Sequence, residues 1–206
     1  MAVASSKRKL MIAIFMLCTA VVGFVAMAFS ILAATTQQVQ SVFSVTYSAD
    51  NVYATVSGTY SINGGTASNL TATDGSTSLV FTPGMGQTSK TLSCAEVDLS
   101  PENSKLFFVY KFENKNPSGG YAMQVAFSDG STSTNMTITY YASTTSVPTL
   151  AQTESSTTGK NISLTVNAQS TGYIAVCVKI TSVYADASYL STTSSGVGAT
   201  ISSLVS

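Results

Sequence analysis

The sequence predicts an all-β protein: an antiparallel β-sandwich of jelly-roll-like form, preceded by an N-terminal apolar signal or anchor helix. Three observations carry this expectation. Beyond about Thr35, apolar and polar residues alternate with a period of two, so one face of each run suits a core and the other suits water. Gly, Asn, Asp and Pro punctuate these runs at short intervals, as turns between strands do. Charged residues make up only 9% of the 206 positions, against the ~25% of ordinary soluble domains. Ser, Thr, Asn and Gly take their place.

The chain opens with Lys7, Arg8 and Lys9, followed by an apolar stretch from Leu10 to Leu32 that only Cys18, Thr19, Gly23 and Ser30 interrupt. Positive, apolar, then small is the order of a secretory signal, and Ala33-Ala34 supplies the small-residue site. At ~1.5 Å per residue the run is also long enough to span a ~30 Å hydrocarbon core. Residues 1–34 are therefore expected to be a cleaved signal peptide or an uncleaved signal anchor. In the second case the protein meets the membrane through residues 10–32 alone. Cys18 lies mid-run, where a lipoprotein cysteine would not. The Gly cleavage site and early Glu of a type IV pilin are missing, and no sorting signal is expected in Gly196 to Ser206.

Residues 35–206 are expected to form one sandwich domain. Phe43, Val45 and Tyr47 mark a short first strand. The cleanest alternation follows: Val52, Ala54, Val56, Gly58, Tyr60 and Ile62 on one face, Tyr53, Thr55, Ser57, Thr59 and Ser61 on the other, closed by Asn63-Gly64-Gly65. β-branched and aromatic residues favour such half-buried strands. Leu79 to Thr82 stops at Pro83-Gly84. Lys105 to Glu113 aligns Leu106, Phe108, Tyr110 and Phe112. Tyr121 to Ser128 aligns Tyr121, Met123, Val125 and Phe127 before Asp129-Gly130. Met136 to Ala142, then Ile162 to Val166, then Tyr173 to Ile180 alternate in the same way, and a last strand is expected near Val197 to Leu204. Ser143 to Thr149 and Gln152 to Thr158 read as long loops.

Charge excludes some functions. After the leader there are six lysines against nine carboxylates, a net of −3, with no Arg, His or Trp. Binding to nucleic acid relies on Arg and Lys at phosphates, so none is expected. With no histidine and no G-x-S-x-G turn, a Ser-His arrangement is not expected; a Ser-Lys one stays open, although no S-x-x-K occurs after the leader. No cofactor or metal is expected. Glu96, Asp98 and Glu102 are the densest acids. They could offer oxygens to calcium, but they lack the spacing of a calcium loop and read better as a solvated strand end. Cys94 and Cys177 are the only thiols after the leader. Outside a cell a pair suggests a disulfide, two unrelated thiols being the alternative. Asn69, Asn135 and Asn161 open N-x-S/T sequons. Tyr53 and Tyr141 fall on otherwise polar faces, where a ring can stack on sugar, meet a protein or pack under a loop.

The segments Asn51 to Tyr60, Val97-Asp98-Leu99-Ser100-Pro101, Phe107 to Asn114 and Asp186-Ala187-Ser188-Tyr189, behind a basic stub and a long apolar signal, give a layout that resembles the TasA/camelysin-like exported proteins of Gram-positive bacteria. The resemblance implies a secreted jelly-roll-like sandwich. It also implies assembly into matrix fibres in some members, with an N-terminal segment completing the next subunit's sheet. Thr35 to Tyr47 would be that donor here. The two cysteines depart from the pattern, and no protease constellation accompanies it. The expected function is a non-enzymatic structural protein of the cell surface or matrix, partnered with itself. The alternative is a surface adhesion module for carbohydrate or a protein.

Overall fold

The computed structural model describes residues 16–19, 21, 37–39, 41–95, 97–99, 105–129, 136–156, 159–180 and 197–204. Near the N-terminus, 16–19 and 21 are helical, and Met16, Leu17 and Val21 are exposed. The rest of the expected signal or anchor lies outside the described residues. Among those described, no helix is long and apolar enough to cross a membrane.

Two six-stranded sheets pack face to face. The first runs in the order β12 (Asn161–Val166), β10 (Met123–Ser128), β14 (Gly198–Ser203), β2 (Val42–Tyr47), β7 (Thr88–Ser93), β5 (Thr71–Ala72). The second runs β11 (Met136–Ser143), β13 (Thr171–Ile180), β9 (Lys105–Asn114), β3 (Ala54–Ile62). The far edge of β3 is shared by β6 (Ser78–Phe81) and β4 (Ser68–Asn69). β1 (Gln37–Val39) pairs with β8 (Val97–Leu99) as a separate ribbon.

The period-two reading holds along these strands. β12 alternates exposed and buried residues without a break, and β2 buries Phe43, Val45 and Tyr47. Their inward faces meet in one core. Its centre is aromatic: Phe43 stacks on Tyr110 with ring centroids 3.9 Å apart, and Phe127 and Phe108 flank that pair at about 6 Å. Full burial of each such ring stabilises by roughly 1.5–3 kcal/mol. Tyr47 remains compatible with this interior because its hydroxyl donates to the Val52 carbonyl at 2.8 Å. Tyr140 does the same by donating to the Asp129 carboxylate. Gly58 leaves room for Leu70: a Cβ there would lie 2.6 Å from Leu70 Cδ1.

β9 departs from simple alternation, with five consecutive buried residues, Leu106 to Tyr110. The outward-facing Phe107 and Val109 join Ala175 and Cys177 in a second cluster on the outer face of the sheet, against Leu150 and Tyr173. Leu150 belongs to α1 (Leu150–Glu154). Both faces of β9 and β13 are therefore covered, which accounts for the nearly unbroken apolar run from Leu106 to Tyr110.

Three expectations are corrected. The sandwich is not wholly antiparallel: β14 pairs with β2 in parallel, from Gly198↔Ser44 to Ile201↔Tyr47. These strands are far apart in sequence and share no hairpin, so no tight turn forces them to oppose. The stretch read as loop from Gln152 onward begins inside α1. Thr149 caps this helix by accepting from the Gln152 N–H, while the Gln152 side chain accepts from the Thr149 N–H. That is a capping box. Tyr121 precedes β10 and is 47% exposed, not a core residue of that strand.

Candidate functional site

The two cysteines of the possible disulfide are placed apart, as in the alternative of two unrelated thiols. Cys94 and Cys177 are both buried and free. Cys94 lies in the main core, where its Sγ accepts from the Ser41 N–H at 3.0 Å. Cys177 alternates with the core residues Val176 and Val178, so it points to the other side of its sheet, into the outer cluster. A sheet separates the two sulfurs. Burial, with Glu154 nearby, pushes the Cys177 thiol up to about 11. Burial also raises the Cys94 thiol. Neither is a thiolate nucleophile at neutral pH.

The expected donor segment is already used within the chain. Residues 37–39 pair with β8, and 42–47 lie between β14 and β7 as an inner strand. Of the acidic group, the Asp98 backbone pairs with Gln38 in the small ribbon. Glu96 and Glu102 lie outside the described residues, as does Asn135. Asn69 and Asn161 sit exposed on β4 and at the start of β12. Among the described residues no group of three His, Cys, Asp or Glu is gathered as metal ligands.

An open cleft of about 540 Å³ lies beside β5, β6 and β7, lined among others by Asp74, Ser76, Val80 and Lys90. Lys90 alternates with the outward Ser89 and Thr91, so it starts on the inner face. At the edge of the sandwich its chain escapes the core: Nζ donates to the Val80 carbonyl at 2.8 Å and lies 5.2 Å from the centre of the Phe81 ring. Asp74 Oδ1 accepts from the Ser76 N–H at 2.9 Å, and hydrogen bonds from Ser76 hold its carboxyl below the usual range. Both charges thus have local partners. They brace an edge and a turn, and neither is set against a nucleophile.

A polar network that the sequence reading missed lies at one end of the sandwich. Asn116 is 5% exposed. Its Oδ1 accepts from the Tyr53 N–H at 2.8 Å, and its Nδ2 donates to the carbonyls of Asn51 at 2.9 Å and Tyr121 at 3.2 Å. Asn114 backs it: Oδ1 accepts from the Asn116 N–H, and Nδ2 donates to the Tyr121 and Val166 carbonyls. One amide therefore ties the backbones of Tyr53 and Tyr121, two of the most exposed aromatic residues described, at 40% and 47%. Of the tyrosines singled out from sequence, Tyr53 is exposed and Tyr141 is half-buried. The signal for Tyr121 was Asn116-Pro117-Ser118-Gly119-Gly120 just before it, a turn that delays the strand.

Compared with known families and with curated proteins, the chain matches no family model and no curated sequence.

Proposed function

We propose that this chain is a non-enzymatic structural protein exported to the cell surface or extracellular matrix, where copies join into fibres by N-terminal strand addition. In this reading residues 1–34 direct export and are either removed or kept as an anchor. The sandwich is of the jelly-roll-like kind, and the partner is another copy of the chain.

The observation that carries the reading is the place of β2. It is the first strand of the sandwich, yet it fills an inner slot, parallel to β14 on one side and antiparallel to β7 on the other. It leaves the sheet through a linker, residues 48–53, that crosses to β3 in the opposite sheet. A second copy's β2 in the same slot would make the same backbone bonds and bury the same Phe43, Val45 and Tyr47. Exchange between copies then costs little beyond opening the linker.

Electron microscopy of the purified protein tests this, with and without a synthetic peptide of residues 41–48. Filaments that shorten as the peptide occupies open slots support the proposal. A monodisperse monomer at high concentration would sink it. Filaments indifferent to the peptide would remove strand exchange as their basis.

A second reading is favoured by the Tyr53–Asn116–Tyr121 arrangement. Two exposed rings held by one buried amide suit a surface adhesion module that stacks on carbohydrate. Glycan-array binding that is lost in Tyr53→Ala and Tyr121→Ala, without filaments, would favour it over the first.

A further inference from the structure

The two sides of the sandwich treat their edges differently. On one side the edge strands β4, β5 and β6 are two, two and four residues long. Lys90 also reaches over to bond the Val80 carbonyl there. Short strands and a lysine are devices that keep an edge from recruiting another strand. On the other side β11 and β12 end their sheets, with β12 facing β11 and β13 across the core. β11 runs for eight residues, Met136–Ser143, and its register with β13 is unbroken from Met136↔Ile180 to Ser143↔Tyr173. It contains no charge, proline, glycine or bulge, and six of its residues are Thr, Ile, Tyr or Met. β12, NISLTV, is uncharged as well. Among the described residues β11 pairs with β13 alone. Among the described residues, this edge strand has none of the shortness, charge, proline or bulge that blunts an edge.

We propose that β11 is a self-association edge: it pairs antiparallel with β11 of a second copy across a two-fold axis, joining the two β11-edged sheets into one. This deepens the reading of the chain as a self-assembling subunit and rests on it. The occupant is a second copy because the strand is complementary to itself. In an antiparallel pair, residues of the same face stand opposite one another. The outward set, Thr137, Thr139 and Tyr141, therefore meets its own kind. Thr–Thr and Thr–Tyr are favourable cross-strand neighbours, and no like charges are opposed. A charged partner strand would find nothing on β11 to answer it. The contact is isologous and closes on itself, so it links chains in pairs and is distinct from the head-to-tail exchange of β2.

The test uses Thr139, which is outward-facing and half-buried and stands opposite itself when β11 pairs with its copy along its length. The protein as recovered from expressing cells is compared with Thr139→Lys and Thr139→Glu by sedimentation velocity over a range of concentrations and by electron microscopy. Far-UV circular dichroism follows folding. Each variant alone is expected to weaken pairing about tenfold or more, and an equal mixture of the two is expected to restore it. Restoration on mixing excludes misfolding as the cause of the loss. If both variants pair as the unmodified protein does while filaments still form, β11 is not the interface and the assembly reading stands. If the unmodified protein neither pairs nor forms filaments, both proposals fall together.

Discussion

At the scale of single residues, the sequence marked most of the core and misjudged the polar positions. Phe43, Val56, Phe108, Phe112, Val125 and Ile174 declare themselves by alternation, because a period of two leaves an apolar residue only one face to occupy. Asn116 carries no such mark. Its importance comes from three chain segments converging on one amide, and convergence is a property of the fold. Asn116→Ala would leave the Tyr53 N–H and the Asn51 carbonyl without that partner. The expected loss is about 3 kcal/mol, read as a lower urea midpoint with an unchanged slope. Glu113 gives a smaller effect with a defined sign. Lys111, at 2.6 Å, and then Lys115, at 3.1 Å, hold its carboxyl below the usual range. A depressed carboxyl contributes stability that is present above its unfolded value, near 4.5, and lost as pH falls through the folded one. Both lysine partners are well exposed, so the contribution is under about 1 kcal/mol and is screened by salt. Glu113→Gln should therefore be less stable than the parent at pH 7 and equal to it at pH 3, in paired denaturation curves at low ionic strength.

At the scale of elements, the long strands were legible and the short ones were not. β3, β9, β12 and β13 have enough residues for periodicity to be seen. β4 and β5 have two each, too few for any pattern. β7 was missed for a different reason: of its inward positions Thr88, Lys90 and Leu92 only the last is apolar, and the long stem of Lys90 lets its charge leave the core at the edge. α1 was missed because a single turn offers no helical period, although its Thr149–Gln152 capping box was there to be read. Gly172 shows how tightly the elements meet. A Cβ at this position would stand 2.6 Å from Leu164 Cδ2 and 2.7 Å from Val166 Cγ2 on the facing β12, whereas a Cβ at Gly159 would meet nothing within 4 Å. Gly172→Ala is expected to cost about 1–3 kcal/mol through overpacking. Gly159→Ala should leave the melting temperature unchanged, and a cost at both sites would contradict the packing argument.

At the scale of the molecule, two facing sheets followed from the count and spacing of strands, but the order of strands within them did not. Nothing in the composition of residues 42–47 says that they lie between the last strand and β7, parallel to the former. That placement separates two truncations. A chain starting at Ser41 retains every strand of both sheets and should keep its near-ultraviolet circular dichroism. A chain starting at Asp50 lacks β2, with Phe43, Val45 and Tyr47, and is expected to lose that signal and bind a hydrophobic dye. If the shorter chain keeps a fixed tertiary signal, β2 is dispensable and the strand order is wrong. The same arrangement also sets a clock. Synthesis runs from the N-terminus, so β2 is made well before β14, the partner on its other side, whose Ile201 bonds Ser48 across 153 positions of sequence. Until then the sheet stays open beside β2. The domain cannot finish folding segment by segment as it is made: the sheet closes only once β14 has emerged, a long-range pairing of the kind that slows folding.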